Sequence, residues 1–372
     1  MPGSEKASTN LPSISDLLRL TVERDASDLH LIVGRPPLIR VDGEIIDVEG
    51  IPPLTSEESK RLVFSVLTDV QKQKFEERRD LDFSLSIANV SRFRVNAHFQ
   101  RGSVAAAFRT ISSTIRGFKE LGLPDKTCTD LACRPNGLVL CTGPTGSGKS
   151  TTLAAIVDLI NDERRVHIIT IEDPIEYLHK HKKAAVEQRE INEDTYSFAD
   201  SLKFALRQDP DVIMVGEMRD QETISAALTA AETGHLVFST LHTVDAPKTV
   251  DRIIDVFPPH QQDQIRVQLA SVMQGILCQK LLPARIGKGR VIALEILLAT
   301  DAVRALIREK DKTNQLPGMM EAGGQYGMRT MDRAIADLFL KGRITRQVAL
   351  VNAHNPKAVE HHIESGTGNV EQ

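Results

Sequence analysis

Tryptophan is absent from the 372 residues, and aromatic side chains make up only 4% of them. Side-chain platforms on which unpaired nucleic-acid bases stack are therefore scarce. The formal net charge of −4 provides no overall basic field for nucleic acid and leaves only a local basic patch open. These shortages argue against a nucleic-acid-binding protein.

Cysteine is scarce as well, and its spacing closes no zinc site. The four cysteines, at positions 128, 133, 141 and 278, form no C-x-x-C pair, so we expect reduced and unpaired thiols. No run of about 18 consecutive apolar residues is present that could span a bilayer. Residues 1–6 lack the apolar core of a signal peptide. We therefore expect a cytoplasmic protein.

The chain length and the pattern of apolar residues predict two domains. Residues 1–12 are small and polar, and we expect them to be disordered. Short alternating strands, one hairpin signal at Asp42-Gly43 and amphipathic helices predict a small α+β domain over residues 13–111. From 112 to 354, strands alternate with helices, which predicts an α/β domain with a mostly parallel sheet and helices on both faces. Within it we expect a helix over 261–278, and we expect a disordered tail over 355–372.

A phosphate-binding loop is the strongest motif of the chain. An apolar run leads into Gly143-Pro-Thr-Gly-Ser-Gly-Lys-Ser150, and a helical pattern follows, as the motif requires. Glycine lets successive N–H groups turn inward around phosphates, Lys149 reaches the β- and γ-phosphates, and Ser150 is placed to bind Mg²⁺. The expected nucleotide-binding residues here are Gly143, Pro144, Thr145, Gly146, Ser147, Gly148, Lys149, Ser150 and Thr151. The motif predicts that the chain binds a nucleoside triphosphate.

An acid at the end of a second strand is the candidate catalytic group. The stretch Asp211-Val-Ile-Met-Val-Gly-Glu217 is an apolar strand that ends in Glu217. In open α/β sheets the carboxyl ends of the strands form the ligand crevice. Glu217 could there deprotonate the attacking water directly or hold Mg²⁺ through water. The alternative is a solvated acid at a strand end.

Three carboxylates crowd together in Ile171-Glu-Asp-Pro-Ile-Glu176, after another predicted strand. Such crowding is unfavourable unless a cation lies nearby, so a metal ion or an arginine partner is implied. Glu172 and Glu176 are candidates for positioning Mg²⁺ or water. An acidic surface turn is the alternative interpretation.

Two histidines and several arginines are weaker candidates. His235 and His242 bracket one predicted strand and lie seven residues apart, on opposite faces of an unbroken strand, so we do not expect them to act as a pair. His242 lies at the carboxyl end, where the γ-phosphate would be sensed. Arg94 and Arg109 lie on strands of the first domain, where arginine is either a solvated side chain or a group that offsets phosphate charge.

Four motifs in one order resemble the secretion ATPase superfamily, and within it the pilus retraction motors. They are the phosphate loop (Walker A), residues 170–176 (Asp box), residues 215–220 (Walker B) and residues 233–243 (His box). The resemblance implies a RecA-like P-loop ATPase core preceded by a PAS-like domain. It implies roles for Glu217 as the catalytic glutamate, Glu176, His235 and His242, and for Arg94 and Arg109 as residues that reach the nucleotide. It also implies a cytoplasmic homohexamer that uses ATP and Mg²⁺.

The resemblance further implies a motor that powers type IV pilus retraction and twitching motility. Its expected partners are an inner-membrane pilus platform protein and a PilU-like paralogue, with the motor peripheral to the membrane and without nucleic acid. The stretch Ala302-Val-Arg-Ala-Leu-Ile-Arg-Glu309 resembles a motif needed for retraction but departs from it at Val303 and Ala305. Core packing of this helix through Ala302, Leu306 and Ile307 is the alternative.

Three rival functions stay open at this stage. The nearest is a PilU-like accessory retraction ATPase, which carries similar motifs. A RecA-like nucleic-acid translocase is another, against which the acidic balance and the few aromatics count. The third is a nucleotide-gated scaffold that does not hydrolyse ATP.

Overall fold

The fold was analysed in a computed structural model that describes residues 11–41, 43–88, 90–111, 114–287 and 289–367. The predicted disordered segment 1–12 therefore lies almost entirely outside the described residues. The chain divides into two compact units, which separate between residues 113 and 114. Unit 1 holds the described residues up to 111, and unit 2 holds those from 114 onward.

Unit 1 is an antiparallel sheet with helices from the N-terminal part of the chain. Its elements are α1 (Ile14–Glu23), β1 (Asp28–Leu31), β2 (Leu38–Val41), β3 (Glu44–Asp47), α2 (Ser56–Phe64), α3 (Asp69–Arg78), β4 (Asp80–Ile87), β5 (Ser91–Gln100) and β6 (Ser103–Ile111). The strand order is β3-β2-β1-β6-β5-β4, with every neighbouring pair antiparallel. The predicted hairpin is present as β2 and β3.

Local sequence signals explain where the helices of unit 1 begin. Each of α1, α2 and α3 starts with a capping box, in which a hydroxyl accepts from the third backbone N–H and the side chain there bonds back. One of these, Thr55 with Glu58, is predicted from its spacing. Leu17, Leu18 and Val63 pack with Phe75 and Phe108 in a core that is closed to solvent. The assignment of unit 1 to a PAS-like fold stays a prediction.

Unit 2 contains the phosphate loop and most of the chain. Its first half consists of α4 (Phe118–Leu121), α5 (Asp125–Ala132), β7 (Gly137–Thr142), α6 (Lys149–Glu163), β8 (His167–Glu172), β9 (Ala185–Glu190), α7 (Phe198–Ala205), β10 (Val212–Val215) and α8 (Gln221–Glu232). Its second half consists of β11 (Leu236–Leu241), α9 (Ala246–Asp255), α10 (Pro259–Val272), β12 (Met273–Pro283), β13 (Arg290–Leu298), α11 (Asp301–Arg308), α12 (Leu316–Ala322), α13 (Met331–Leu340), α14 (Arg346–Asn352) and α15 (Pro356–Thr367).

The sheet of unit 2 is parallel apart from one edge. The strand order is β13-β12-β7-β11-β10-β8-β9, and only the β12–β13 pair is antiparallel among the pairs described. Apolar side chains from both faces enter two separate clusters, one with α5 and α6 and the other with α7 to α10 and later helices. Strands buried on both faces read as continuous apolar runs, which is why β7, β8, β10 and β11 are visible in the sequence. The predicted α/β sheet with helices on both faces is confirmed.

The helix predicted over 261–278 is wrong in its second part. Helix α10 ends at Val272, and the chain continues as β12, which pairs with β7 on one side and β13 on the other. Residues 273–278 are mostly apolar and buried, and a short buried apolar run fits a helix as well as a strand. The two neighbouring strands decide the outcome, because β12 supplies hydrogen-bond partners to both.

The disordered tail predicted over 355–372 is also wrong where the structure describes it. Residues 356–367 form α15, and Val359 and Ile363 are buried in the same cluster as α13 residues. Asp332, in the first turn of α13, accepts hydrogen bonds from the backbone N–H groups of His354 and Asn355. Among the tail side chains that the structure describes, only Val359 and Ile363 are buried, which explains why the sequence there reads as polar.

The helix with the retraction-like motif packs on the core through Ile307 and, in part, Leu306 as predicted, and through Val303 instead of Ala302. In α11, Val303 and Ile307 are buried, whereas Ala302 is exposed and Leu306 is half-buried. Arg304 donates from Nη1 to the carbonyl oxygens of two residues near the end of α10, at 2.6 and 2.8 Å. Core packing therefore accounts for one side of this helix only.

None of the helices described is both long and apolar enough for a bilayer span.

Candidate active site

The carboxyl ends of β7, β8, β10 and β11 meet at one edge of the sheet and border a cavity of about 510 Å³. Every residue around this cavity belongs to unit 2. Its lining includes Glu172, Glu176, Glu217 and His242, and from the phosphate loop Thr145, Gly146, Gly148, Lys149, Ser150 and Thr151, whereas Gly143, Pro144 and Ser147 are not part of it. Parallel strands place their carboxyl ends side by side, which is why motifs far apart in sequence converge here.

The phosphate loop has the conformation that its glycines predict. Gly143, Gly146 and Gly148 have φ angles of 140°, 76° and 91°, in the region that favours glycine. A Cβ atom on Gly143 would lie 2.3 Å from the carbonyl oxygen of Gln279, so no larger residue fits. Helix α6 begins after Gly148 without a side-chain cap, so no capping side chain competes with an anion for its first backbone N–H groups. Loop and helix together form a cradle for anions.

Lys149 lies inside this cradle and is only 8% exposed. Its Nζ donates to the carbonyl oxygens of Gly143 at 2.9 Å and Pro144 at 3.2 Å. Burial lowers the pKa of Lys149, while the nearby Cys141, Glu176 and Glu217 raise it in part. The ammonium group is thus held over the loop, beside the two candidate acids.

Gln279 supports the loop from below, a role that the motif does not reveal. This buried side chain accepts from Sγ of Cys141 at 2.8 Å and donates to Oγ1 of Thr152 at 2.6 Å. It thereby ties β12 to the strand before the loop and to the helix after it. Burial raises the pKa of the Cys141 thiol above its usual range.

Glu217 follows β10 and borders the cavity, and 17% of its side chain is exposed. Its Oε2 lies 2.7 Å from Nε of Arg219 and 3.5 Å from Nε2 of His242. The backbone around it is fixed, since Gly216 donates to Ile171 O and accepts from Thr240 Oγ1. Glu217 is therefore a positioned acid with a guanidinium and an imidazole beside it.

Glu172 and Glu176 lie at the same edge but in different environments. Glu172 is buried, and burial raises its pKa from 4.5 to about 7, although the hydroxyl of Thr170 donates to it at 2.7 Å. Glu176 is exposed at the cavity. The two carboxyl groups are close enough for the charge of Glu176 to raise the pKa of Glu172 further.

The two histidines of the His box are at opposite ends of β11. His242 lines the cavity, whereas the ring of His235 contacts the carbonyl oxygen of Ala230 at 2.9 Å at the other edge of the sheet. Seven residues of strand separate them by roughly 23 Å. The structure does not bring His235 to the cavity of this chain, so its assignment to the nucleotide site is not supported within one subunit.

Arg94 and Arg109 lie in unit 1, on neighbouring strands and directly opposite each other. Nε of Arg109 lies 2.9 Å from Oδ1 of the buried Asp28, and Arg94 is exposed. Neither side chain is among those that border the cavity of unit 2. Their reach to a nucleotide stays a prediction.

The side chains at the cavity that were not predicted as site residues include Tyr177, His179, Arg219 and Arg290. Tyr177 bonds through its hydroxyl to Oγ1 of Thr151 at 2.8 Å, and Arg290 donates to Gly146 O at 3.3 Å. Burial lowers the pKa of His179 to about 4, so its ring is neutral near pH 7. Only Arg219 carried a signal, because it lies within the Walker B stretch.

The family model for type II/IV secretion system proteins matches residues 5–348. The chain belongs to this family. The type IV pilus retraction ATPase PilT of Pseudomonas aeruginosa is 48% identical over 346 residues, which are 92% of this chain and 99% of that protein. A twitching motility protein of Neisseria gonorrhoeae is 46% identical over 93% of this chain and 92% of its own length. PilU of P. aeruginosa is 40% identical over 94% of this chain and 91% of its own length.

A crystal structure of the pilus retraction motor PilT with bound ADP has the same fold. Its TM-score with this chain is 0.86 at 50% identity, and the match covers 94% of this chain and 99% of that one. The predicted α/β ATPase fold and the resemblance to pilus retraction motors are confirmed. That PilT structure contains bound ADP, and the phosphate loop of this chain likewise predicts a bound nucleotide.

Proposed function

We propose that this family member is a Mg²⁺-dependent ATPase motor that powers type IV pilus retraction. The observation that carries the proposal is one cavity in which Glu217 faces the phosphate loop and Lys149. Similarity to PilT over nearly the whole of both chains supports the retraction role. Similarity to PilU is lower, which favours a retraction motor over an accessory ATPase.

The residues of the cavity divide the chemistry among them. Loop N–H groups and the start of α6 bind the phosphates, and Lys149 exchanges its carbonyl partners for phosphate oxygens. Glu217 orients the attacking water and takes its proton, while His242 and Arg219 hold the carboxylate in place. Glu176 positions water or the metal from the opposite side, and Glu172 anchors the turn before it.

A magnesium ion fits this donor set. The described residues contain no cluster of three or more His, Cys, Asp or Glu side chains for a metal, but Mg²⁺ beside phosphates needs few protein ligands. The hydroxyl of Ser150 and, partly through water, Glu217 would hold it. When bound, it neutralises charge on the phosphate oxygens.

The assembly part of the proposal follows the resemblance. The chain would form a homohexamer at the cytoplasmic side of the pilus base and act on an inner-membrane platform protein, together with a PilU-like paralogue. Arg94 and Arg109 would reach the nucleotide of a neighbouring subunit and offset its developing charge. Hydrolysis would then release that contact and let the domains move.

Pilus retraction in a strain that lacks its retraction motor tests the proposal. The wild-type chain should restore retraction, and Lys149→Ala should not, although the variant still assembles. Failure of the wild-type chain to act alone, with rescue only beside a second motor, would favour the PilU-like role. The motor proposal would be overturned if the purified wild-type protein did not hydrolyse ATP, or if its ATP hydrolysis depended on added DNA.

A further inference from the structure

Strand β9, at one edge of the unit 2 sheet, carries a side chain that holds the loop between Glu172 and His179. Gln188 lies on β9 opposite Thr170 of β8. Its Nε2 donates to the carbonyl oxygen of Tyr177 at 2.8 Å and to Oε1 of Glu172 at 3.3 Å. Its Oε1 accepts from the backbone N–H of His179 at 2.8 Å.

The three partners of Gln188 all border the nucleotide cavity, whereas Gln188 itself does not. We propose that Gln188 is a positioning residue for ATP hydrolysis, whose carboxamide sets the path of residues 172–179 and so places Glu172 and Tyr177 at the cavity. The inference rests on the proposed catalytic use of this cavity. It extends the Asp box to a residue on another strand, outside every motif of the sequence.

A carboxamide is the one side-chain group of this length that can make these contacts. It provides two N–H donors and one carbonyl acceptor in a single plane, and all three are engaged here. A glutamate would lose both donors and place a second carboxylate beside Glu172. A methionine of similar length would leave the backbone groups of the loop without this partner.

The loop that Gln188 holds reaches the phosphate-binding helix. Tyr177 bonds to Thr151, which directly follows Ser150 in the first turn of α6. A second side chain of β9 helps, because Glu190 accepts from the backbone N–H of Ile175 at 3.2 Å. The path from β9 through Tyr177 to α6 links the edge of the sheet to the cradle for the phosphates.

Gln188 also acts on Glu172 directly. The carboxylate of Glu172 faces the hydroxyl of Thr170 on β8, the amide of Gln188 on β9, and the N–H and charge of Glu176 in the loop. The amide hydrogen bond favours the ionised form of Glu172, against burial and Glu176. Replacing the amide by a carboxylate would remove this hydrogen bond and add like charge beside Glu172, so its carboxyl group would lose its fixed position.

Steady-state ATP hydrolysis by the full-length assembled protein tests the proposal with Gln188→Glu and Gln188→Met. We expect both to lower kcat by about tenfold or more, with a smaller change in KM for ATP. Gln315→Glu, which adds the same charge at an exposed position, should change neither kcat nor KM.

The folded fraction of each variant at the assay temperature, from circular dichroism, separates positioning from stability. A kcat that falls only in proportion to lost folded protein would overturn the proposal. So would a kcat within about twofold of the wild type in both variants. Hydrolysis that persists in Lys149→Ala would instead reject the proposed function of the cavity, and the role of Gln188 with it.

Discussion

Nε of Arg219 lies 2.7 Å from Oε2 of Glu217, and the arginine side chain is 71% exposed whereas that of the glutamate is 17% exposed. The ion pair therefore covers the candidate base from its solvent side. Exposed ion pairs are weak, typically below about 1 kcal/mol, so this one can open when a nucleotide and water arrive. Nε2 of His242 lies 3.5 Å from the same oxygen, so this ring can keep the Glu217 carboxylate oriented when Arg219 moves away.

Glu217→Gln should abolish hydrolysis and preserve nucleotide binding. The amide keeps the shape of the side chain but cannot take a proton, so we expect kcat to fall by about 100-fold or more. Binding of a fluorescent ATP analogue should change by less than about threefold. Glu222→Gln, the same change at an exposed residue of α8, is the matched control. Hydrolysis at the wild-type rate in Glu217→Gln would contradict its role as the base.

Gly143→Ala should destroy the anion cradle, whereas Gly287→Ala should not. Both glycines have a positive φ, so each substitution brings strain of about 1–2 kcal/mol. Only at Gly143 would the new Cβ also lie 2.3 Å from a backbone oxygen of β12, while Gly287 has open space. Binding of fluorescent ADP should therefore be lost in the first variant alone. Equal affinity in the two variants would show that the loop tolerates the extra atom.

Glu172→Gln should remove part of the pH dependence of stability. Because burial raises the pKa of Glu172 from 4.5 to about 7, the folded state holds this proton more tightly than the unfolded state. Stability contributed by the protonated form is present below pH 4.5 and is lost as pH rises through about 7, a change of roughly 3 kcal/mol.

Thermal unfolding of wild type and Glu172→Gln at about pH 5 and about pH 8 measures this effect. The difference obtained by subtracting the wild-type Tm from the Tm of the variant should increase from the lower to the higher pH. Glu222→Gln serves again as the exposed control and should show no such trend. A constant difference in Tm would mean that Glu172 ionises in the folded protein as it does in water.

Arg109→Ala should destabilise unit 1 whatever its part in hydrolysis. Burial alone raises the pKa of Asp28, but hydrogen bonds from Ser27 and Arg109 outweigh it and lower that pKa, so the ionised form depends on these partners. Removing the arginine should cost about 1–3 kcal/mol in the free energy of unfolding.

The double variant Asp28→Asn/Arg109→Ala separates the two roles of this arginine. It should recover part of the lost stability, since the buried Asp28 carboxylate, which otherwise keeps only the weaker ion pair with Arg40 at 3.9 Å among its described cations, is gone. Arg94→Ala, at the exposed opposite position, should unfold close to the wild type. If the stable double variant hydrolyses ATP at the wild-type rate in intact rings, Arg109 does not reach the nucleotide.

The phosphate loop and the strand that ends in Glu217 could be predicted because their signals are local. A contiguous run of backbone N–H groups binds the phosphates, so the glycines, Lys149 and Ser150 must appear together in the sequence. A buried parallel strand is a continuous apolar run, so its end, and the acid that follows it, is visible too. The capping box of α2 is predicted for the same reason, since it spans only four residues.

The predictions for residues 273–278 and 356–367 are wrong because the neighbours of these segments decide their structure. The first segment is a strand since β7 and β13 flank it, and the second is a helix since two of its side chains pack against α13. Strand β7 lies far from β12 in the sequence, and α14 separates α13 from α15. Propensity is a weak guide when tertiary contacts supply most of the stabilisation.

The sequence by itself determined the nucleotide loop, the candidate base and the alternation of strands and helices in unit 2. Only the tertiary structure decided that Tyr177 and Arg219 border the cavity, that Gln188 holds the loop behind it, and that His235 of this chain lies elsewhere. The physical reason is the strand order. Pairing of β9 with β8 brings side chains of distant segments within hydrogen-bond distance, and no spacing along the chain encodes that pairing.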